Sequence, residues 1–317
     1  MGKTGSLKFY KSLLDHARGL IATSYVPNHL IIPKNASLSG WVPPGGSESA
    51  FTSARKYFAG TAALAGDTIS VTAGTYPEQL DITKSIKLVG AGTVLSIVQA
   101  PATLPDASLP TSAIVRVHGA GVAAEITGFT ITGPGPSACG SIRSGLYIFE
   151  GANANIHDNR IADIRDNVLP PPSGCQNGVA ILVGRQAWST SGTATITNNV
   201  IVGYQKGGIV VDNTGSNAII TGNTVTGAGN IDTTAQNGIQ ISRDATATLS
   251  GNTVTGNSFH NDTNESNWGA TGVLLYDAGA VAFTDGNNLS ENDNNLYISG
   301  GAVLQLSATL NLIPTLI

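Results

Sequence analysis

One short unit recurs from about residue 123 onward, and this repetition restricts the fold more than any other feature of the chain. Each unit has a turn residue followed, two positions later, by an apolar residue, and two units read Asn-Thr-Val-Thr-Gly. The turn residues lie 24 to 40 positions apart, which fits one solenoid coil with insertions of variable length. The pairs of turn and apolar residue are Phe129 and Ile131, Asn159 and Ile161, Asn199 and Ile201, Asn223 and Val225, Asn252 and Val254, and Asn287 and Leu289.

Apolar residues at fixed distances from the turn predict where each coil faces inward. An Ile or Leu stands three positions before each of the first five turn residues, and an Ala stands five positions before it. A Gly followed by alternating apolar residues also recurs once per unit, and a period of two is typical of β-strands. These Gly residues are Gly145, Gly178, Gly208, Gly238 and Gly272, with Asn295 continuing the series. Each coil is therefore predicted to carry three short strands.

A single strand of this kind buries little apolar surface, so the core has to form between coils. Stacking at the strand spacing of about 4.8 Å aligns like residues into columns, which predicts that Ile201, Val225 and Ile241 point inward. Asn tolerates a left-handed backbone conformation, and its side-chain amide can bond neighbouring backbone, so an internal Asn ladder is also predicted. The ladder residues are Asn159, Asn199, Asn223 and Asn252. The predicted fold class is all-β, a parallel β-helix.

The residues before the repeats form an opening coil with a more specific pattern. Gly-Asp-Thr-Ile at residues 66–69, Gly-Thr-Tyr at 74–76 and Leu-Val-Gly-Ala-Gly at 88–92 resemble the start of pectin-lyase-like β-helix proteins. The Asn-Thr-Val-Thr-Gly units resemble the parallel β-helix repeats of the same group, which is described as carbohydrate-binding proteins and sugar hydrolases. The resemblance covers residues 66–317. It implies a right-handed parallel β-helix whose partner is a polysaccharide or another glycan.

The chain is predicted to divide into an N-terminal extension, residues 1–65, and the β-helix, residues 66–317. The Ala-rich stretch 48–65 fits a short helix that caps the first coil, because an open end would expose unpaired backbone. Residues 7–22 favour a second helix, and the stretch 25–46, with four prolines, favours an extended connector.

Charge and hydropathy exclude several classes of partner. Only 11% of residues are charged, against about 25% in ordinary soluble domains, and the net charge of -4 comes without a cluster of Lys or Arg. A nucleic-acid backbone would find no electrostatic footprint, so nucleic acid is not expected to bind. No apolar stretch approaches the ~20 residues that span a bilayer, so no membrane span is predicted. No secretory signal is visible, yet a polysaccharide partner favours an extracellular or cell-surface location.

The long insertions all precede the recurring Gly strand, so they are predicted to leave the solenoid at one edge. Loops held side by side on a rigid scaffold often carry binding or catalysis, although any coil turn tolerates insertion. Cys139 and Cys175 lie in two of these insertions and are predicted to be close enough for a disulfide, with two free thiols as the alternative. No CxxC, HExxH or His cluster is present, so neither a metal nor a cofactor is predicted. The insertions span residues 133–144, 165–177, 228–237 and 257–271.

A dense group of charges near the second insertion supplies the candidate catalytic residues Asp163, Arg165 and Asp166. Paired carboxylates can hydrolyse a glycoside as acid and base, whereas a lyase needs a basic group beside a uronate and cations to neutralise it. Mixed charges on loops are also typical of solvated ion pairs. The sequence lacks the Asn-Thr-Asp, Asp-Asp and Gly-His-Gly series of polygalacturonase-like hydrolases, and residues 184–188 only partly resemble the Gly-Arg-Pro-Trp segment of pectin esterases.

Aromatic rings stack on sugar rings, and cations can neutralise uronates. The candidate substrate-binding residues are Arg143, Tyr147, Arg160, Trp188, Lys206 and Trp268. Tyr147 also belongs to an outward apolar column, called the outer stripe below, which we expect the N-terminal segment or a partner subunit to cover. The predicted members of the outer stripe are Tyr147, Ala180, Val210, Gln240, Leu274 and Tyr297.

These features leave three functions open. The first is an extracellular, glycan-binding β-helix without a recognisable catalytic set. The second is a divergent polysaccharide lyase or glycoside hydrolase that acts at the loop-bearing edge. The third is a structural or adhesive solenoid that contacts protein, including itself, through the outer stripe or the open C-terminal end. At that end, strand-like alternation continues through residues 300–317.

Overall fold

The computed structural model describes residues 29–32, 63–104, 112–137, 139–169, 172–260, 269–306 and 311–312. In these residues the chain winds through three parallel sheets, named A, B and C, in that order on successive coils. The predicted all-β parallel β-helix with three short strands per coil is confirmed. The described residues contain no α-helix, and their one helical element is a 3-10 turn, Gln186–Trp188.

The strands are numbered along the chain. The ten strands of sheet A are β1 His29–Ile32, β2 Thr68–Val71, β5 Lys87–Gly90, β8 Ala123–Thr127, β11 Asn153–His157, β14 Thr193–Thr197, β17 Asn217–Thr221, β20 Thr246–Ser250, β23 Ala280–Phe283 and β26 Val303–Leu306. The nine strands of sheet B are β3 Gly74–Pro77, β6 Ser96–Gln99, β9 Thr130–Thr132, β12 Arg160–Ala162, β15 Val200–Val202, β18 Thr224–Ile231, β21 Thr253–Phe259, β24 Asn288–Ser290 and β27 Asn311–Leu312. The eight strands of sheet C are β4 Leu80–Ile82, β7 Ala113–His118, β10 Ser144–Phe149, β13 Val179–Val183, β16 Gly207–Asp212, β19 Asn237–Ser242, β22 Thr271–Tyr276 and β25 Asn294–Ser299.

The interior columns follow the predicted register. In sheet B, Ile201 lies between Ile161 and Val225 on the neighbouring coils, and all three side chains are fully buried. Ile241 of sheet C is equally buried, so the predicted inward orientation of Ile201, Val225 and Ile241 is confirmed. The predicted columns of sheet A are also confirmed by the strand pairing. They consist of Ala124, Ala154, Ala194, Ala218 and Ala247, and of Ile126, Ile156, Ile196, Ile220 and Leu249.

An Asn ladder runs through the turns between sheets A and B. The side-chain amide of Asn199 donates to Oδ1 of Asn223 at 3.0 Å, and the backbone N–H of Asn199 donates to the same oxygen at 3.0 Å. The amide of Asn223 bonds Asn252 in the same way and also donates to the carbonyl of Ile196 at 2.8 Å. The predicted ladder is confirmed, and it extends one coil further, since Asn252 donates to Asn287 at 3.0 Å.

The residue before each ladder position explains why these turns are rich in Gly, Asn and Asp. This residue adopts the left-handed conformation that was predicted for the ladder Asn itself, with φ of 54° at Asp158, 55° at Asn198 and 66° at Gly222. Few side chains tolerate this conformation, and Asn and Asp do so better than most. Each turn therefore needs a left-handed residue followed by the ladder Asn, which is the two-residue pattern that repeats in the sequence.

The two ends of the solenoid differ from the middle. β1, from the stretch predicted as an extended connector, pairs in parallel with β2 and so adds a strand to sheet A. The predicted helix at 7–22 and the predicted cap at 48–65, apart from residues 63–65, lie outside the described residues. At the other end, Tyr297, Val303 and Leu306 are more than half exposed. Self-association through this end stays a prediction.

Replacing Val225 by Asp tests the register of the core. The substitution would place an unpaired carboxylate in a fully buried apolar column, and we expect it to destabilise the protein by about 3 kcal/mol or more. Thermal unfolding followed by circular dichroism measures the loss. The matched control is Thr224→Asp, because Thr224 is the exposed neighbour on the same strand. A Val225→Asp protein as stable as the control would contradict this register.

Candidate functional site

The long connections from sheet B to sheet C lie along one edge of the solenoid, called the loop edge. The predicted insertions 133–144 and 165–177 follow β9 and β12 and lead into β10 and β13. The insertions 228–237 and 257–271 likewise lead into β19 and β22, although β18 and β21 extend several residues into them. The prediction that the insertions share one edge is confirmed.

The first two insertions are tied by a disulfide. Cys139 and Cys175 are bridged, with their Cα atoms 5.6 Å apart. The predicted proximity is therefore confirmed, and the alternative of two free thiols is not what the structure contains. Among the described residues, one group has metal-ligating atoms within 4.8 Å of one another, namely these two cysteines and Asp166. Because both sulfurs belong to the disulfide, this group offers no thiolates to a metal.

Buried polar side chains hold the loops at the points where they leave and rejoin the solenoid. Gln205 donates from Nε2 to Oδ2 of Asp166 at 3.1 Å and to the carbonyl of Cys175 at 2.8 Å. Oδ2 of Asp166 also accepts the hydroxyl of Ser173 at 2.6 Å. One coil on, Gln236 accepts the N–H of Ala228 at 2.8 Å through its side-chain oxygen. These contacts fix where each loop leaves the solenoid, and they hold the carboxylate of Asp166 in a buried position.

The other two candidate catalytic residues are closer to solvent. Asp163 is exposed and left-handed, with φ of 53°, next to Gly203 on the following coil. A nitrogen of the Arg165 guanidinium lies 3.9 Å from Oδ1 of Asp163. The structure thus brings Asp163 and Arg165 together, whereas the side chain of Asp166 is buried at the base of the loop. A catalytic role for Asp163, Arg165 and Asp166 stays a prediction.

The outer stripe exists on sheet C, but one of its predicted members is wrong. Tyr147 pairs with Leu182, and Leu182 with Val210, so Leu182 takes the place assigned to Ala180. Gly178 was aligned with the recurring Gly, whereas the strand reaches the equivalent position two residues later, and Ala180 packs in the interior core. The stripe is buried at Tyr147, Leu182 and Val210 and open at Tyr297.

A tight turn after β13 places Trp188 over the covered half of the stripe. Gly184 begins the turn with φ of 64°, and a Cβ atom there would stand 2.5 Å from the carbonyl oxygen of Asp212. An antiparallel bridge between Arg185 and Thr190 closes the turn. The half-buried Trp188 ring meets the ring of Tyr147 edge to face, with centroids 5.9 Å apart.

Two guanidinium groups flank Trp188. The central carbon of Arg143 lies 5.3 Å from the centroid of the indole ring, and that of Arg185 lies 5.9 Å from it. Burial and the neighbouring charge of Arg185 both lower the pKa of Arg143. Within the described part of the chain, Arg143 forms no ion pair, and its Nε is buried without a hydrogen-bond partner. We call Arg143, Arg185 and Trp188 the Trp188 platform.

Tyr147 supports the platform from below. Its ring stacks on Phe149 with centroids 4.3 Å apart, and Phe149 stacks in turn on His118 at 4.7 Å. The Tyr147 side chain is fully buried, and burial raises the pKa of its hydroxyl. Because its side chain is fully buried, Tyr147 supports the ring of Trp188 and offers no surface to a ligand.

The remaining candidate substrate-binding residues lie apart from the platform. Arg160 is exposed on the outer face of sheet B, between Thr130 and Val200. Lys206 sits at the loop edge, where its ammonium donates to the carbonyl of Ala235 at 2.6 Å and burial lowers its pKa. Trp268 lies outside the described residues. Substrate binding by Arg160, Lys206 and Trp268 stays a prediction.

A buried carboxylate that the sequence did not predict as a site residue lies beside the platform. Asp212, at the end of β16, is 0% exposed, and its Oδ2 accepts the N–H of Gln186 at 3.0 Å and lies 3.5 Å from the Arg185 guanidinium. Its Oδ1 accepts Ser242 and Arg243, both at 2.7 Å. The signal in the sequence was an acidic residue directly after the apolar run Ile209 to Val211.

Comparison with known proteins places the fold. Residues 112–303 match the family model described as a right handed beta helix region. A solved structure of the Azotobacter vinelandii mannuronan C-5 epimerase AlgE4 A-module is 15% identical over 84% of this chain and 74% of that chain, with a TM-score of 0.50. An alginate lyase from Paenibacillus sp. str. FPU-7 is 18% identical over 80% of this chain and 97% of that chain, with a TM-score of 0.42. At 15% identity the likeness to the epimerase module establishes the fold alone. No curated protein sequence matches the chain.

Among the residues that the structure describes, no helix is long and apolar enough to cross a membrane.

Thiol counting in denaturant tests the disulfide. We expect no reactive thiol without reductant and both cysteines to react after reduction, because the two Cα atoms are at bridging distance. The bridge closes a loop of 36 residues, so a Cys139→Ser, Cys175→Ser double variant should lose up to about 3 to 4 kcal/mol of stability. The single variant Cys139→Ser controls for the loss of one thiol and should expose one reactive Cys175. Two reactive thiols in the unreduced parent protein would overturn the bridge.

Proposed function

We propose that this chain, which belongs to the right-handed β-helix family, binds an acidic polysaccharide on the outer face of sheet C. Family membership agrees with the resemblance to pectin-lyase-like proteins in the opening coil and the repeats. The binding surface is the Trp188 platform, and the loop edge borders it through Arg143, which directly precedes β10.

The observation that carries the proposal is the half-buried indole of Trp188 with two guanidinium groups close to it, 5.3 and 5.9 Å from the ring centroid. A ring of this size supplies the flat apolar contact that the face of a sugar needs. Arginine matches a carboxylate in two parallel hydrogen bonds, so a uronate is the sugar that such a platform suits best.

Electrostatic balance around the platform favours an anionic ligand. Arg143, Arg185 and Arg243 lie on this face against two carboxylates, namely Asp212, which pairs with Arg185 and Arg243, and Glu150. Arg143 keeps an uncompensated charge at a partly desolvated position, which costs free energy in the free protein. An incoming carboxylate would pair with that charge and recover the cost.

Two further observations support the setting. One solved structure with this fold is that of a mannuronan C-5 epimerase module. Mannuronan is a chain of uronates, so a polyuronate is the first ligand to test. A disulfide between two surface loops is typical of oxidising compartments, so it supports an extracellular or cell-surface location for this protein.

A second candidate function is polysaccharide cleavage at the loop edge. The observation in its favour is Asp163, an exposed acid at the loop edge with Arg165 beside it. The buried carboxylate of Asp166 accepts several hydrogen bonds, so Asp163 is the acid with the freer access to a substrate.

Titration calorimetry with a polyuronate and with a neutral glucan tests binding. We expect the polyuronate to bind more tightly and its affinity to fall as salt rises, because ion pairs at a partly exposed site are screened. Trp188→Ala should weaken binding about tenfold or more, and Arg143→Gln or Arg185→Gln about three- to tenfold. Reducing ends and the absorbance of unsaturated products are followed in the same mixtures.

Arg160→Gln is the matched control, because it removes an exposed guanidinium from sheet B rather than sheet C. Equal losses in Arg160→Gln and Arg143→Gln would move the site off the platform. A Trp188→Ala variant that binds the polyuronate as tightly as the parent protein would refute the proposal. Product formation that disappears in Asp163→Asn would establish the second candidate.

A further inference from the structure

A second arginine and aromatic pair lies on the same face of sheet C, beyond the Trp188 platform. The guanidinium carbon of Arg243 is 5.5 Å from the ring centroid of Tyr276, at the carboxyl end of β22. Tyr276 is 42% exposed, although it ends a strand that is otherwise largely buried. One side of the ring is therefore held by a cation while much of the side chain faces solvent.

Asp212 connects this pair to the platform. One oxygen of its buried carboxylate lies 3.5 Å from Arg185, and the other accepts Arg243 at 2.7 Å. The same carboxylate anchors the turn that carries Trp188 through the N–H of Gln186. A single buried carboxylate therefore contacts both arginines, and each arginine lies next to one of the two aromatic rings.

The strand register gives the distance along the solenoid between Tyr276 and the start of the turn that carries Trp188. Val211 pairs with Val183, which places Asp212 opposite Gly184, the start of the Trp188 turn. Asp212 pairs with Ser242, and Ser242 pairs with Tyr276. Three strand spacings separate the level of Gly184 from that of Tyr276, roughly 14 Å along the axis. A single sugar cannot touch both rings, but a chain of several sugars can.

We propose that Tyr276, held by Arg243, is a second sugar-stacking site for the same polysaccharide chain that binds the Trp188 platform. The second site rests on the proposed function, because it takes its ligand from the platform. It assigns that ligand a minimum length, a chain that spans about three coils of sheet C.

The surroundings of Tyr276 differ in charge from those of Trp188. Arg243 is already paired with Asp212, and the exposed acids Asp244 and Asp277 directly follow Arg243 and Tyr276 in the chain. Carboxylates accept hydrogen bonds from sugar hydroxyls, whereas they repel a uronate carboxylate. The second site therefore binds through ring stacking and hydroxyl groups, with the carboxylate of the stacked sugar turned toward solvent, whereas the platform combines stacking on Trp188 with charge.

Chain length and salt separate the two sites in one experiment. The affinities of an oligouronate disaccharide and hexasaccharide are measured by calorimetry at low and high salt, for the parent protein and for the variants Trp188→Ala, Arg143→Gln, Tyr276→Ala and Tyr276→Phe. We expect Tyr276→Ala to weaken hexasaccharide binding about tenfold and to leave the disaccharide within about twofold, because only a long chain gains from a second linked contact. Tyr276→Phe should restore hexasaccharide binding, since it keeps the ring. The salt dependence should be unchanged by Tyr276→Ala and reduced in Arg143→Gln.

Ile219→Ala is the control, since it removes an exposed apolar side chain from sheet A. Thermal unfolding of each variant verifies that the fold is kept. The second site would be overturned if Tyr276→Ala bound the hexasaccharide as tightly as the parent protein does. It would also be overturned if this variant lost affinity for the disaccharide and the hexasaccharide equally. Trp188→Ala that binds both oligomers normally would instead refute the proposed function, whatever Tyr276→Ala does.

Discussion

The hydrogen bond from one turn Asn to the next is the contact on which the rest of this structure depends. A single coil has no core of its own, so every coil is stable only through its neighbours. The ladder from Asn159 to Asn287 joins successive coils by bonds of 3.0 to 3.2 Å, inside the protein, at the same point of each coil. An amide left unpaired there would cost about 1 to 3 kcal/mol, so a coil out of register is penalised directly. The apolar columns then add burial to a stacking that the ladder has already aligned.

This alignment turns distance along the chain into proximity. Arg185 and Arg243 are separated by two coils of sequence, yet both reach Asp212 because β13, β16 and β19 stack in register. The same stacking sets the long insertions side by side and brings Cys139 to Cys175. A rigid scaffold of this kind holds aromatic and charged groups at fixed spacings, which suits a ligand that is itself a repeating chain. The Trp188 platform and Tyr276 lie on the same sheet for that reason.

The parts of the fold that the sequence predicted are those that repeat. Ile201 and Val225 could be placed inward, and Asn199 and Asn223 in a ladder, because stacking requires like residues at like positions. Ala180 was misplaced because Gly178 imitates the recurring Gly two residues too early. From the sequence, Asp212 is visible only as an acid directly after an apolar run, since its partners come from two other coils and emerge only once the register is known. Arg143 and Trp188 were identified by type, but their contact was not, because an insertion and a tight turn bring them together.

Crystallography of the protein with a bound oligouronate hexasaccharide tests most directly where the ligand lies. The expected result is sugar density stacked on Trp188, a carboxylate paired with Arg143 or Arg185, and a chain that continues across sheet C toward Tyr276. Density confined to the loop edge around Asp163, with the face of Trp188 bare, would contradict this placement of the binding surface.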